Sequence, residues 1–258
     1  MFVTQRQSAR NSAAAVEDVR RRAIALDLGA PLLIRVNPRA RRLLLRVDAA
    51  DRAVELVLPR GVSAESGLRF LRAQRVWIAT RLAALPRPVP FVEGAIVPVL
   101  GTPHRIRRES DPQAPPVTRM DGEIRVRGDP AHLSRRVRDY LIGVARQEVT
   151  RRARLLAARI GRPITRVTVR DTTSRWGSCS ATGCLSFSWR LILAPESVLD
   201  YVVAHEVAHL AEMNHGPRFW RLVQSLTPDH DGPRAWLNRH RSRLWSYGWN
   251  CPPVSAFL

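Results

Sequence analysis

Residues 205–215 read His-Glu-Val-Ala-His-Leu-Ala-Glu-Met-Asn-His. On an α-helix His205 and His209 lie one turn apart, so both imidazoles project from one face and can reach one metal ion. Neutral imidazoles at i and i+4 are a common Zn²⁺ chelate, and a third protein ligand would fill three of four tetrahedral positions and leave the last for water. That open position marks a catalytic site. Glu206, next to the first ligand, stands beside whatever binds there. The bland alternative is a chance HExxH on an amphipathic helix; the apolar helix around the motif and the histidine that follows it weigh against this.

The flanking residues argue for the helix itself. Pro195 suits the first turn, where its missing N–H is not needed, and Glu196 and Asp200 place negative charge near the positive helix end. From there Val198, Val202, His205, His209 and Glu212 recur at three or four residues, while Val203, Val207 and Leu210 can face a core. Asn214 is read as a left-handed stop, and Gly216-Pro217 cannot extend the helix, so the chain turns and swings His215 back toward the metal. His215 is therefore the favoured third ligand. Its rival, His230, lies beyond another expected helix, 218–226, which would have to fold back. The offset of His215 from His209 matches the HExxHxxGxxH pattern, but Glu212 occupies the place of the turn-forming Gly, so membership of that clan does not follow.

Composition sets wider bounds. A chain of 258 residues, 45% of them apolar, can bury one large core or two small ones and is not disordered as a whole. No apolar run is long enough to span a membrane, and the first residues lack the apolar core of a secretory signal, so a cytoplasmic protein is expected. Cys179, Cys184 and Cys251 form no CxxC pair, which argues against a disulfide framework and a thiolate zinc cluster. The formal charge is +20, carried entirely by arginine. Such a field attracts phosphate, and nucleic acid is a candidate partner; total replacement of Lys by Arg also fits codon bias in a GC-rich genome.

Along the chain, residues 1–28 read as a flexible leader. Alternating apolar residues from Leu32 to Leu58, around Asp48-Ala49-Ala50-Asp51, read as a β-hairpin. Ser63 caps a helix running to about Leu85, and Pro86 to Pro90 is a linker or rigid turn. Short extended pieces at 97–102, 104–107 and 124–127 predict a small sheet, and a long helix follows from Pro130 to Ile160. Strands at 167–170 and 185–190 should pack beside the active-site helix, one of them edging the cleft, where an extended peptide could add itself as a strand. The expected division is leader 1–28, a β-rich region with one helix 29–128, a catalytic domain 129–248 and a tail 249–258.

With these residues assembled, the chain resembles the YgjP-like, SprT-related family of zinc metallopeptidases. The resemblance rests on SRWGSCS at 174–180, WRLILAP at 189–195, DYVVAHEVAHLAEMNHGPRFW at 200–220, and Asp229 with the later Trp236. RARRLLLRV, LPRGVS, the helix with Trp77 and FVEGAIVPVLG match the family's amino-terminal β-rich region more weakly. The family implies an α+β, zincin-like domain of the minimal gluzincin type. It also implies Zn²⁺ held by His205, His209 and His215, with Glu206 as catalytic carboxylate. Ser188, where the family usually has Asn, and the tail after Arg239 depart from its pattern, which bears on substrate contacts more than on metal binding.

The chemistry that follows is hydrolysis of peptide bonds in a peptide or protein substrate, with Glu206 taking the proton of a zinc-activated water and delivering it to the leaving amine. His230, Arg190 and Tyr247 are candidate oxyanion donors. Ser178 and Cys179 read as a tight turn more readily than as nucleophiles, and Glu212 as a support or surface residue. Two other classes stay open. One is a metal-dependent nucleotide phosphoanhydride hydrolase, although such enzymes usually recruit Mg²⁺ through carboxylates. The other is a non-catalytic zinc module that binds nucleic acid or a partner, although a structural site normally closes with a fourth protein ligand.

Overall fold

A computed structural model of the chain describes residues 16–19, 21–23, 26–49, 51–172 and 175–248. They divide into two compact units, one before and one after the Arg87/Pro88 junction. The predicted tail 249–258, Cys251 and Ser174 lie outside the described residues.

The first unit is a three-stranded sheet with helices. β1 (Leu32–Asn37) runs parallel to β3 (Ala53–Pro59), and β2 (Leu44–Asp48) is antiparallel to it, so β3 is central. The predicted hairpin is β2–β3; β1 joins it through a parallel pairing that alternation alone does not reveal. The expected single helix of 63–85 is two, α1 (Ala64–Ala73) and α2 (Arg75–Ala83). Gln74 breaks them by leaving helical geometry (φ −98°, ψ 7°), although no Gly or Pro announces it. Ser63 caps α1 as expected, its hydroxyl accepting from the N–H of Ser66. Leu68, Leu71 and Ile78 bury against Leu56 and Leu58. Residues 1–15 of the predicted leader are not described, but Val19 and Ala23, in helical stretches at 16–19 and 21–23, are buried in this core.

The second unit begins with a four-stranded sheet: β4 (Ile96–Val99), β5 (Thr102–Glu109), β6 (Val117–Met120) and β7 (Glu123–Arg127), in the order β4-β5-β7-β6. The boundary drawn from sequence at 128/129 falls inside this unit. Val97, Ile106, Ile124 and Val126 share one core with the helix that follows, so the sheet and the catalytic half cannot be separated there. After a short 3₁₀ turn comes α3 (Leu133–Arg159), with Val137, Leu141, Ala145, Val149, Ala153 and Ala157 buried at every fourth position. A second sheet carries β8 (Arg166–Arg170), β9 (Gly177–Cys179) and β10 (Cys184–Ser188), in the order β8-β10-β9. The expected strands are β8 and β10, while β9 is a short extra edge strand. A 3₁₀ segment, Trp189–Leu193, then leads into α4 (Glu196–Ala208), followed by α5 (Pro217–Leu226) and α6 (Asp231–Ser246). No helix among the described residues is long and apolar enough to cross a membrane.

Candidate metal centre

α4 carries the centre, and burial fixes its position. Val198, Leu199, Tyr201, Val202, Val203, Ala204, Val207 and Ala208 are all buried, which makes it a core helix rather than a one-faced surface helix. Its first turn is tied to α3 by Arg152, whose guanidinium, almost wholly buried, donates to Asp200, Glu196 and Glu148. The two acids expected to serve the helix start thus also pair with an arginine far earlier in the chain. Pro195 stands one position before the first helical residue.

The helix ends sooner than its periodicity predicts. Ala208 is its last residue and His209 the C-cap, with a turn held by Leu210 N–H to Val207 O and Glu212 N–H to Ala208 O. Asn214 is not left-handed: among the described residues the non-glycine residues with positive φ are Asp27, Arg52, Leu100 and Asp121. The reversal comes instead from Gly216, extended at φ −80°, ψ −177°, with Pro217 opening α5. This still returns His215 to the helix. Nε2 of His215 lies 3.1 Å from Nε2 of His205, and the ligating atoms of His205, His209 and His215 all lie within 4.8 Å of one another. Two imidazoles on one tetrahedral Zn²⁺, with Zn–N bonds of about 2.0–2.1 Å, would hold their nitrogens roughly 3.3 Å apart. The donor set therefore fits the ion.

Protonation suits it as well. Burial drives the His205 pKa down to about 4, helped by the neighbouring positions of His209, His215 and Arg234. Burial also lowers His209, against the opposing effect of its bond to a backbone carbonyl. Both rings are thus neutral at neutral pH, as a ligand must be. Nδ1 of His209 lies 3.0 Å from the carbonyl of Glu212, an arrangement in which Nδ1–H donates and Nε2 keeps its lone pair for a metal. Glu212 therefore serves the site through its backbone. Nδ1 of His205 is buried without a partner among the described residues. Phe219, fully buried on α5, is the floor: its ring stacks on His209 at 4.5 Å and meets His205 and His215 at 4.9 and 4.7 Å.

Glu206 points elsewhere. Its side chain is 6% exposed and runs against the backbone of β9, where a Cβ on Gly177 would lie 2.5 Å from its Cγ and 2.6 Å from Oε1. Gly177 is a glycine because the carboxylate needs that space, not because of its backbone angles. Burial raises the Glu206 pKa to about 7, with Arg175 pulling the other way. Among the described residues the three histidines are the only group of three or more candidate metal donors, and Glu206 is not in it.

The other sequence candidates are placed elsewhere. Arg190 is buried and holds Asp171 and the carbonyls of Leu244 and Tyr247, so it is committed to structure. The carbonyl of Tyr247 is taken in this way, and its ring lies beneath Arg243. His230 packs on Trp220 at 5.8 Å, and Trp220 in turn lies 6.0 Å from the rings of His205 and His215. Burial pushes the Cys179 thiol up to about 11, which disfavours the thiolate a nucleophile needs. Ser188 is buried with its hydroxyl unpartnered among the described residues. Gly177, Phe219, Arg175 and Arg234 carry no signal of their own in a single sequence; Phe219 and Gly177 were visible only as letters within the PRFW and WGSC motifs.

A buried helix and the turn that follows it bring three imidazoles to one point, beside a buried carboxylate, and that is the framework of a metal-dependent hydrolase. The family model described as "YgjP-like, metallopeptidase domain" matches residues 41–240, and the chain belongs to this YgjP-like metallopeptidase family. No curated protein and no solved structure matches it.

Proposed function

We propose that the chain is a zinc metallopeptidase that hydrolyses peptide bonds, with Zn²⁺ held by His205, His209 and His215 and with Glu206 as general base. The observation that carries this reading is the Glu206 carboxylate: one residue from His205, buried, and outside the cluster of metal donors. When bound, Zn²⁺ supplies Lewis acidity, lowering the pKa of water toward about 7 and polarising a carbonyl. Glu206 accepts the proton of the attacking water and returns it to the departing amine. Gly177 lets the carboxylate sit close to the β9 backbone, and Phe219 and the Glu212 carbonyl fix the imidazole planes.

β9 pairs with β10 and is an edge of its sheet, so it offers an extended peptide a free row of backbone groups beside Glu206. This supports a peptide substrate bound as an added strand. The charge of Arg175 acts on Glu206 and that of Arg234 on His205, so both are cations within electrostatic reach of the site. They are the candidates for the oxyanion role that Arg190, held by Asp171 and two carbonyls, cannot fill.

The test is Glu206→Gln on zinc-reconstituted protein. Glutamine keeps the shape but cannot accept a proton, so zinc stoichiometry should stay near one per chain while peptide turnover falls by roughly 10² to 10⁴. Unchanged turnover would remove Glu206 from its role, and failure to hold zinc after reconstitution would overturn the metal assignment.

A further inference from the structure

The outer side of α3 carries a second built feature within the same compact unit. A groove of about 480 Å³ is lined by Arg146, Arg154, Arg162 and Arg166, with Thr150 and Thr165 between them. It continues along α3 into a shallower depression that shares Arg146, Thr150 and Arg154 and extends to Gly143. All four arginines are exposed, and none has an ion-pair partner among the described residues. On the same helix Arg152 points inward to three carboxylates, and Arg151, which lines the shallower depression, is paired with Glu148. Neither depression is lined by a carboxylate or an aromatic side chain.

We infer that this groove binds the phosphate backbone of duplex nucleic acid without reading its sequence. Unpaired guanidinium forks match phosphate oxygens, and four of them facing one concavity concentrate a positive field that net charge alone does not localise. The helical wall from Gly143 to Ala158 is roughly 22 Å long at 1.5 Å per residue, which suits a chain of phosphates rather than a single mononucleotide. Single-strand binders stack bases on aromatic rings, and this lining has none, which favours a duplex contacted only through its backbone. The Thr150 hydroxyl can add a neutral donor, whereas that of Thr165 is engaged with the Thr182 carbonyl. The groove lies at the β8 edge, and β9, beside Glu206, is the opposite edge of the same sheet, so occupancy of one leaves the other open.

The experiment measures binding of the full chain to a labelled 20-base-pair DNA duplex across salt concentrations. Four phosphate contacts predict a slope of log K against log salt near −3.6, a loss on the order of 10² in affinity between 50 and 200 mM salt. The variant R146Q/R154Q/R162Q/R166Q should lose that slope, and R146K/R154K/R162K/R166K, which keeps the charges, should retain it. R41Q/R42Q/R69Q/R75Q removes as much charge from exposed positions of the other unit and should bind as the parent does. Melting temperature and zinc content confirm that each variant is folded. Three results overturn the inference. The control could weaken binding as much as the groove variant, which would make the attraction generic. The groove variant could bind normally. Polyglutamate or inorganic tripolyphosphate could displace the duplex at matched charge, which would assign the groove to acidic proteins or small anions.

Discussion

Gly177→Ala is a one-atom test of the proposed catalytic geometry. The added Cβ would sit 2.5, 2.6 and 2.8 Å from Cγ, Oε1 and Cδ of Glu206, where ordinary contact begins at 3.4 Å. The carboxylate must therefore retreat by about 1 Å, and a misplacement of that size costs on the order of 10² in rate, or about 2.7 kcal/mol of barrier. Part of the strain will appear as lost stability, about 1–3 kcal/mol for an overpacked buried contact. No imidazole atom is among the nearest neighbours of the added Cβ, so the metal cluster should be untouched. Peptide kcat at saturating zinc should therefore fall about a hundredfold while zinc stoichiometry and affinity stay constant. Full turnover with zinc in place would refute the idea that Gly177 positions Glu206. Loss of zinc in step with activity would relocate the defect to the metal cluster.

Zinc titration should separate the two candidate third ligands: His215→Ala should weaken binding by well over 100-fold, more than a supporting residue costs, and His230→Ala should leave occupancy intact. In metal-free protein Glu206 keeps its proton to about pH 7, against 4.5 for an ordinary glutamate. The native state thus holds the extra proton across that window, and stability from this group falls by about 3 kcal/mol as pH rises from 4.5 to 7. His205, neutral down to about pH 4 instead of 6.5, works in the opposite sense, its contribution lost as pH falls below 6.5. The informative quantity is therefore the difference between wild type and E206Q in urea denaturation with chelator. The variant's advantage should grow up to pH 7 and then level; a difference independent of pH would show that Glu206 is not held neutral in the fold.

The spacing of His205, His209 and His215 made their convergence readable, because a helix turn and a Gly-Pro reversal are local events. The same locality made α3, β8, β10 and the cap at Ser63 legible. What escaped depends on contacts between distant segments. Gly177 matters only once β9 lies against α4. Arg190 looked like a free cation until Asp171 and two carbonyls enclosed it. The end of α4 was overextended because Glu212 continues the helical period, although its backbone instead closes a turn on His209. The unit boundary was misplaced because strands β4 to β7 read as a separate small sheet, and nothing in their alternation says that Ile106 and Ile124 share a core with α3.

The three proposed ligands and the ring beneath them, Phe219, come from one short continuous run of chain. Closing loops of four and six residues costs little chain entropy, so the unfolded polypeptide keeps much of the chelate's effective concentration. Zinc should then hold the denatured ensemble as well as the native one, and whatever it binds in the unfolded state is subtracted from the stabilisation that native affinity alone implies. Melting temperature should consequently climb less with zinc concentration than native affinity alone would give, and a melting curve will understate how tightly the folded protein holds its metal.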